Sequence, residues 1–321
     1  MTDGPNADAV PPLAVGWPDE EAARRCRERH QDRGRAEGRM PALAVWAAAV
    51  QGRDAPQPFQ AARLIVVAGH HGVVSRGVSS QPPDVVPETL AGIENLTAPV
   101  AQLAHRAGAS IGVLDLSAAA SADLTIADAA TEGTVSAGLS AGVATADGAI
   151  DSGADLLVLG DVAAGSTTVA ATIISVLAGV EPLKCVGRGL GIDDNTWMRK
   201  MTAVRDARRR AWPHRTDVRA LLRVTGGADF AALFGLLRQA AARRTPVLLD
   251  GVVGAAAALL LQRDEPIAVQ WLRAGHLGAE PGHALALARL GLEPVVDVGL
   301  RAGTGIGALL GYQVLQTAVT L

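Results

Sequence analysis

The sequence predicts an α/β protein, in which a doubly wound parallel sheet is accompanied by a smaller helical segment. From Arg63 onward, short apolar runs alternate with Ala-rich runs of helical length, as in strands joined by crossover helices. The apolar runs are continuous, which indicates strands buried on both faces. A chain of 321 residues with 49% hydrophobic content is long enough to bury such a core.

The predicted elements divide the chain into three parts. The predicted strands are Leu64–Ala68, Ile111–Leu116, Asp155–Leu159, Leu183–Val186, Pro246–Leu249 and Pro294–Val298. The predicted crossover helices include Val135–Ile150, Val169–Leu177, Phe230–Ala242 and Gly254–Gln262. Before them, Glu20–His30 and Pro41–Val50 predict two helices with no strand between. We therefore predict a tail and helical segment over 1–60 and a large domain over 61–300, followed by a C-terminal loop and helix over 301–321.

The cysteines and the amino-terminal segment favour a cytoplasmic protein. Cys26 and Cys185 lie far apart and match no paired metal spacing, so neither a disulfide framework nor a zinc site is predicted. The first fifteen residues do not have a basic region followed by an apolar one, which argues against a secretory signal and predicts a disordered tail.

Membrane and nucleic-acid functions are also disfavoured. The most apolar stretch, Val247–Leu261, is shorter than the roughly 20 residues of a membrane span. A net charge of −3 and 3% aromatic content argue against nucleic-acid binding. The one dense basic run, Arg205–Arg215, holds five arginines and is predicted to be a solvated helix face or a partner contact.

Glycine-rich loops follow the predicted strands at 69–72, 160–168, 187–194 and 299–307. In doubly wound sheets, ligands bind at this edge, so we expect Gly69, Gly160, Gly187 and Gly303 to gather there. The loop at 160–168 runs directly into a predicted helix, where backbone amides, hydroxyls and the helix dipole would converge on one anion. An ordinary Ser/Thr helix cap is the alternative interpretation. The predicted phosphate-binding residues are Gly165, Ser166, Thr167, Thr168, Gly187, Gly189 and Gly191, with Lys200 as a candidate charge partner.

The histidines do not predict a metal site. His70 and His71 are adjacent but have no matching ligand cluster, so a packed turn is the preferred interpretation. His276, His283 and Glu280 form a weaker trio of the same kind.

Several blocks of the sequence resemble one family. They are VVAGHHGVVSRGVSSQPPDVV at 66–86, GADLLVLGD at 153–161, GSTT at 165–168, GLGIDD at 189–194, RRTPVLLDG at 243–251 and LGLEPVVDVGLRAGTG at 290–305. From about residue 40 to the end, the chain is similar to the nicotinate-nucleotide:dimethylbenzimidazole phosphoribosyltransferases. The resemblance implies a large doubly wound parallel-sheet domain and a smaller helical domain formed by the terminal segments, to which the C-terminal loop and helix over 301–321 return. It also implies a homodimer that moves phosphoribose from nicotinate mononucleotide to an azole nitrogen, forming the lower-ligand nucleotide of cobalamin without a metal or other cofactor.

The resemblance also locates a departure at the catalytic base. The family carries a glutamate in a C-terminal G-E-G-T-G loop, and Thr304 occupies that position in this chain. A second acidic residue of the family is kept as Asp161. A threonine hydroxyl is a poor base near neutral pH, so turnover of dimethylbenzimidazole is expected to be slow and to be partly restored by Thr304→Glu.

Other positions of the implied site are altered too. His70 stands where the family has an acid, and the acceptor-binding stretch of the family corresponds here to Ser79, Gln81 and Glu88. The family's entry motif is unrecognisable near 32–38, and its basic loop beside the ribose is missing between Leu116 and Gly153.

Two hypotheses follow from these departures. In one, the protein is an active transferase with an altered azole or other aromatic acceptor, using Asp161, Glu88 or His70 as the base. In the other, it is a catalytically weakened paralogue that binds a nucleotide and pairs with an intact homologue. The family offers a precedent, since some members that use phenolic acceptors work as two-subunit assemblies of homologues.

Overall fold

The computed structural model describes residues 14–30, 38–82, 84–118 and 120–320. The predicted tail before residue 14 and almost all of the altered entry motif lie outside them. The helices are α1 Glu20–His30, α2 Met40–Gln51, α3 Val85–Glu94, α4 Pro99–Arg106, α5 Glu132–Asp151, α6 Ser166–Leu177, α7 Asp194–Ala211, α8 Val218–Leu221, α9 Gly227–Ala242, α10 Gly251–Asp264, α11 Pro281–Leu290 and α12 Ile306–Ala318. The strands are β1 Ala62–Ala68, β2 Ser110–Asp115, β3 Leu156–Val162, β4 Val247–Leu249, β5 Leu272–Gly278 and β6 Pro294–Leu300.

The strands form one parallel sheet in the order β2-β1-β3-β4-β5-β6. The predicted α/β class is therefore confirmed. The chain winds outward from β1 to β2 and then crosses to the other side of β1 through β3, which creates a topological switch point between β1 and β3. Ligand sites of such sheets lie beyond the carboxyl ends of the strands.

One predicted strand is wrong and one strand was missed. Leu183–Val186 is not a strand, because Pro182–Lys184 forms a 3₁₀ turn with Leu183 64% exposed. The strand that the sequence analysis missed is β5, whose apolar run is interrupted by Arg273, Gly275 and His276. Pairing with β4 and β6 on both sides keeps this segment extended despite its weak pattern.

The longest apolar helical run is Val218–Ala242, which comprises α8, a π-helical turn and α9. Within the described residues it alone is long and apolar enough to cross a membrane, and 83% of its apolar window is buried inside the protein. It packs along α5 through small residues, since a side chain on Gly142 or Gly235 would collide with the backbone of the other helix. This burial is that of a core helix.

The terminal helices lie together on one side of the sheet. α1 packs on α2 around Cys26, Ala44 and Ala48, and α12 packs on both α2 and β5. The Gln316 side chain accepts the Phe59 N–H at 2.9 Å and donates to the Phe59 carbonyl at 2.7 Å, which ties the last helix to the segment before β1. The division into a large and a small domain stays a prediction.

Candidate active site

A cavity opens at the carboxyl ends of β3, β4, β5 and β6 and extends to the loop between β1 and α3. Its wall carries residues from all of these segments, from Val78 to Thr304. The predicted site residues that line it are Ser79, Gln81, Asp161, Ser166, Thr167, Gly189, Lys200 and Thr304. The sheet edge named by the glycine pattern is therefore where these side chains meet.

The remaining predicted site residues do not line the cavity. They are His70, Glu88, Gly165, Thr168, Gly187 and Gly191. Glu88 is exposed on α3, whose Val85 and Thr89 contribute to the wall instead. His70 is also exposed, and the structure gives neither residue a contact with the cavity.

The amino-terminal turn of α6 forms one end of the cavity. Gly165 adopts φ 82°, a conformation that favours glycine, and turns the chain from the loop into the helix. Ser166 and Thr167 then face the cavity at the positive end of the helix dipole. Lys200 reaches this turn from α7 and donates to the Thr167 hydroxyl at 2.8 Å, although its side chain is almost wholly buried. The arrangement can bind an anion.

Glu280 organises the second glycine loop, a role that the sequence did not indicate. Its carboxylate accepts the N–H of Gly187 at 3.2 Å and that of Gly189 at 2.6 Å. It also lies 3.7 Å from the Lys200 ammonium. Burial lowers the pKa of Lys200, and the charge of Glu280 opposes that shift. The sequence signal that could have identified Glu280 is its position just after the apolar segment Leu272–Gly278, but the pattern of that segment did not predict strand β5.

Asp161 is the acidic group at the centre of the wall. It lies near the end of β3, and Ser166 donates a hydrogen bond to its carboxyl group. Burial raises its pKa to about 7; Asp250 and Asp229 act in the same direction, while the Ser166 hydrogen bond and His71 oppose them. A carboxyl group with a pKa near the working pH is suited to accept a proton during catalysis.

The loop that carries Thr304 is defined by its backbone. Thr304 has φ 67°, an uncommon conformation for a β-branched residue, and Gly305 has φ 96°. A side chain on Gly160 would come within 2.6 Å of the Thr304 carbonyl, so the loops after β3 and β6 pack directly on each other. Thr304 lines the cavity but brings no carboxylate to it.

Asp250, which the sequence analysis did not single out, anchors the loop of Thr304 from inside the protein. It follows β4 directly, is 1% exposed, and accepts the N–H of Gly305 at 3.0 Å and that of Ala308 at 2.8 Å. Burial raises its pKa, whereas neighbouring His276 and these hydrogen bonds oppose the shift. Asp250 therefore caps α12 from inside the protein.

The histidine trio is not a metal cluster. His276 lines the cavity floor, where its Nε2 accepts the Gly251 N–H at 3.0 Å and lies 3.5 Å from Asp250. Burial lowers the pKa of His276 and holds the ring neutral. His283 accepts the Gly278 N–H at 2.9 Å, and burial lowers its pKa to about 3. Glu280 is engaged elsewhere, and the part of the chain that is described contains no group of three or more metal-binding side chains.

The fold and the cavity together define an α/β protein in which the amino-terminal turn of α6, suited to an anion, lies beside the Asp161 carboxyl group at the carboxyl ends of the parallel strands. The phosphoribosyltransferase family model matches residues 15–321. The nicotinate-nucleotide–dimethylbenzimidazole phosphoribosyltransferase of Mycobacterium marinum is 45% identical over 315 residues, covering 93% of this chain and 88% of the relative. The protein of the same name from Mycobacterium tuberculosis is also 45% identical, covering 93% and 87%.

Solved structures agree with these sequence comparisons. The crystal structure of CobT from Thermus thermophilus superposes with a TM-score of 0.88 at 33% identity, covering 93% of this chain and 95% of that one. This chain therefore belongs to the nicotinate-nucleotide–dimethylbenzimidazole phosphoribosyltransferase family, as its sequence blocks predicted.

Proposed function

We propose that the protein transfers the phosphoribosyl group of nicotinate mononucleotide to dimethylbenzimidazole or a related azole, in the synthesis of the cobalamin lower ligand. The observation that carries this proposal is the position of Asp161, a carboxyl group with a pKa of about 7, in the wall of a cavity that also has an anion-binding turn. Relatives that bear this activity in their names match nearly the whole chain. Because these matches cover nearly the whole chain, they do not favour the hypothesis of a non-catalytic paralogue.

The anion-binding end of the cavity suits the phosphate of the nucleotide. Ser166 and Thr167 offer hydroxyls and amides, and the buried Lys200 offers a positive charge beside them. Arg301, after β6, also lines the cavity and donates to the Gly189 carbonyl at 3.2 Å, which makes it a second cationic contact. Each charge-assisted hydrogen bond of this kind contributes about 1.5 to 3 kcal/mol.

The opposite wall suits a flat aromatic acceptor. Val78, Val85, Val252 and Val253 supply apolar surface, and the neighbouring polar residues Ser79, Gln81 and Thr89 can orient a ring nitrogen. Because the family's acceptor stretch is altered here, azoles other than dimethylbenzimidazole are candidate acceptors as well.

The reaction requires positioning and removal of one proton. The unprotonated azole nitrogen attacks the anomeric carbon of the ribose, and the bond from that carbon to the nicotinate nitrogen breaks. Nicotinate leaves readily because its ring nitrogen carries a positive charge while bonded to ribose. The azole then loses its N–H proton, and Asp161 takes that proton in place of the family glutamate. No metal or other cofactor is needed.

Assembly and location belong to the same proposal. We expect a homodimer, or a heterodimer with a homologue, acting in the cytoplasm. Light scattering at micromolar concentration would measure the mass, and a monomer of 32.8 kDa would contradict the dimer.

The decisive test is a single-turnover assay with nicotinate mononucleotide and a set of azoles, following both nicotinate release and nucleotide formation. Asp161→Asn should lower the rate by about 10² to 10⁴, the usual contribution of a positioned base. Asp115→Asn is a matched control, because Asp115 ends strand β2 at the same sheet edge but does not line the cavity. Unchanged turnover in Asp161→Asn, or no nicotinate release with any azole, would refute the proposal.

A further inference from the structure

A buried pair of titratable side chains lies behind Asp161, outside the cavity wall. His71 is completely buried and Asp229 is 5% exposed. Their Nε2 and Oδ2 atoms are 3.0 Å apart, while neither ring nitrogen of His71 makes an aligned hydrogen bond. The Phe230 ring packs 5.9 Å away. An ionised carboxylate in such surroundings requires a compensating charge, and the His71 ring is the group in contact with it.

Unusual backbone brings the two side chains together. Asp229 lies in the first turn of α9, which follows the π-helical turn Leu222–Gly226, and Gly227 at φ 82° makes the change of direction. Turns of this kind are rare and are frequent at functional sites. On the other side, Gly69 leaves the space that the Asp229 carboxylate occupies, since any side chain at Gly69 would collide with it.

The pair is close enough to act on Asp161 electrostatically. Val67 pairs with Asp161 across β1 and β3, and the Gly69 N–H donates to the Val162 carbonyl at 3.1 Å. His71 therefore leaves the sheet beside the end of β3. After the larger effects of burial, Asp250 and the Ser166 hydrogen bond, the charge of Asp229 raises the pKa of Asp161 and that of His71 lowers it.

The charges of the other groups near Asp161 do not depend on His71 or Asp229. From β4 comes Asp250, whose carboxylate is occupied by the α12 amides, and from β5 comes the neutral His276 beside it. From α6 comes the Ser166 hydroxyl, and from α7 comes the Lys200 ammonium, which donates to the neighbouring Thr167 hydroxyl. The net charge of His71 and Asp229 is thus the part of the electrostatic surroundings of Asp161 that depends on whether this buried ion pair is intact.

We propose that His71 and Asp229 are positioning residues for the transfer reaction: the two form a buried ion pair, and the net charge of that pair sets the pH at which Asp161 can accept the acceptor's proton. The inference rests on the proposed role of Asp161 as the base. Neither His71 nor Asp229 lines the cavity, so both act through Asp161.

Three variants test the charge argument: His71→Gln, Asp229→Asn and the double variant. Carbon-13 NMR of aspartate carboxyl groups gives the pKa of Asp161 directly, and the acid limb of kcat/KM gives its value in catalysis. His71→Gln leaves a negative charge beside Asp161 and Asp229→Asn removes one, so the Asp161 pKa should be about one unit higher in the first variant than in the second. The double variant is neutral and should return close to the unmodified protein.

A merely structural pair would behave differently. It would shift the Asp161 pKa in the same direction in both single variants and further in the double variant, and that outcome would overturn the inference. The exposed His105→Gln serves as the control that should move nothing.

The two readouts separate this inference from the proposed function. If the NMR values follow the expected order but kcat/KM does not, Asp161 is not the base and the electrostatic pair stands. If Asp161→Asn lowers the transfer rate but the NMR values of the two single variants coincide, the base assignment stands and the pair is wrong.

Discussion

The loops at 160–168 and 299–307 are built alike and used differently. Each leaves a parallel strand, β3 or β6, and each enters a helix through a glycine with positive φ, Gly165 at 82° and Gly305 at 96°. In the first loop, the helix amino terminus opens into the cavity through Ser166 and Thr167. In the second, the buried Asp250 occupies the helix amino terminus.

This difference explains why two similar sequence patterns do not predict two similar sites. A glycine loop before a helix offers free amides, but a ligand can use them only where no protein carboxylate has already taken them. It also shows where the acidic groups lie: Asp161 is in the wall of the cavity and Asp250 is buried beneath the second loop, although position 304 holds a threonine.

The contact between the two loops gives the largest expected effect. Gly160→Ala would place a Cβ atom 2.6 Å from the Thr304 carbonyl, and this backbone cannot move without displacing Asp250 and α12. Overpacking of this kind should lower the free energy of unfolding by about 2 to 3 kcal/mol. Urea denaturation measures it, with Gly148→Ala in α5 as the control.

No atom lies within 4 Å of the Cβ position at Gly148. That helical substitution should therefore stabilise the protein by about 0.5 to 1 kcal/mol. Equal free energies of unfolding for the two variants would mean that the loops are not in tight contact.

The pH dependence of stability sharpens the contrast between the two loops. The pKa of Asp161 rises from its ordinary 3.8 to about 7 in the folded protein, so between these values the folded state holds a proton that the unfolded state has lost. The free energy of unfolding therefore falls as pH rises from about 4 to 7, and Asp161→Asn should not show this decrease. Relative to the unmodified protein, the variant should gain about 1 to 3 kcal/mol over this range, measured by urea unfolding at several pH values.

Asp115→Asn is the appropriate reference here as well. Its unfolding free energy is compared with that of the unmodified protein between pH 4 and 7. A parallel curve for Asp161→Asn would show that Asp161 has an ordinary pKa.

The smallest expected effect is at Thr304. If Asp161 is the base, Thr304→Glu adds a second carboxylate whose function is already supplied, so transfer should accelerate by less than about tenfold. Thr304→Gln matches the glutamate in size without its charge and controls for packing. A gain of about 10² or more in the glutamate variant alone would restore the interpretation in which the base has been lost.

Much of the fold followed from local patterns. Continuous apolar runs identified five strands, including β1 and β3, because strands buried on both faces need such runs. β5 escaped because Gly275 and His276 are kept there by partners distant in sequence: Gly275 lets α12 approach, and His276 binds the Gly251 amide. The false strand at 183–186 resembled a strand in composition, yet it had no neighbour to pair with.

By itself, the sequence determined the fold class, the family, the sheet edge that carries the site and the acid retained at Asp161. Those properties depend on periodicity, on local glycine and hydroxyl patterns, and on blocks of residues that stay contiguous. Tertiary structure alone decided that Glu280 shapes the loop at Gly187, that Asp250 occupies the second helix terminus, and that Glu88 does not line the cavity. Each of these outcomes depends on hydrogen bonds or burial between residues far apart in the chain, and no local pattern records which distant group fills a given amide or space.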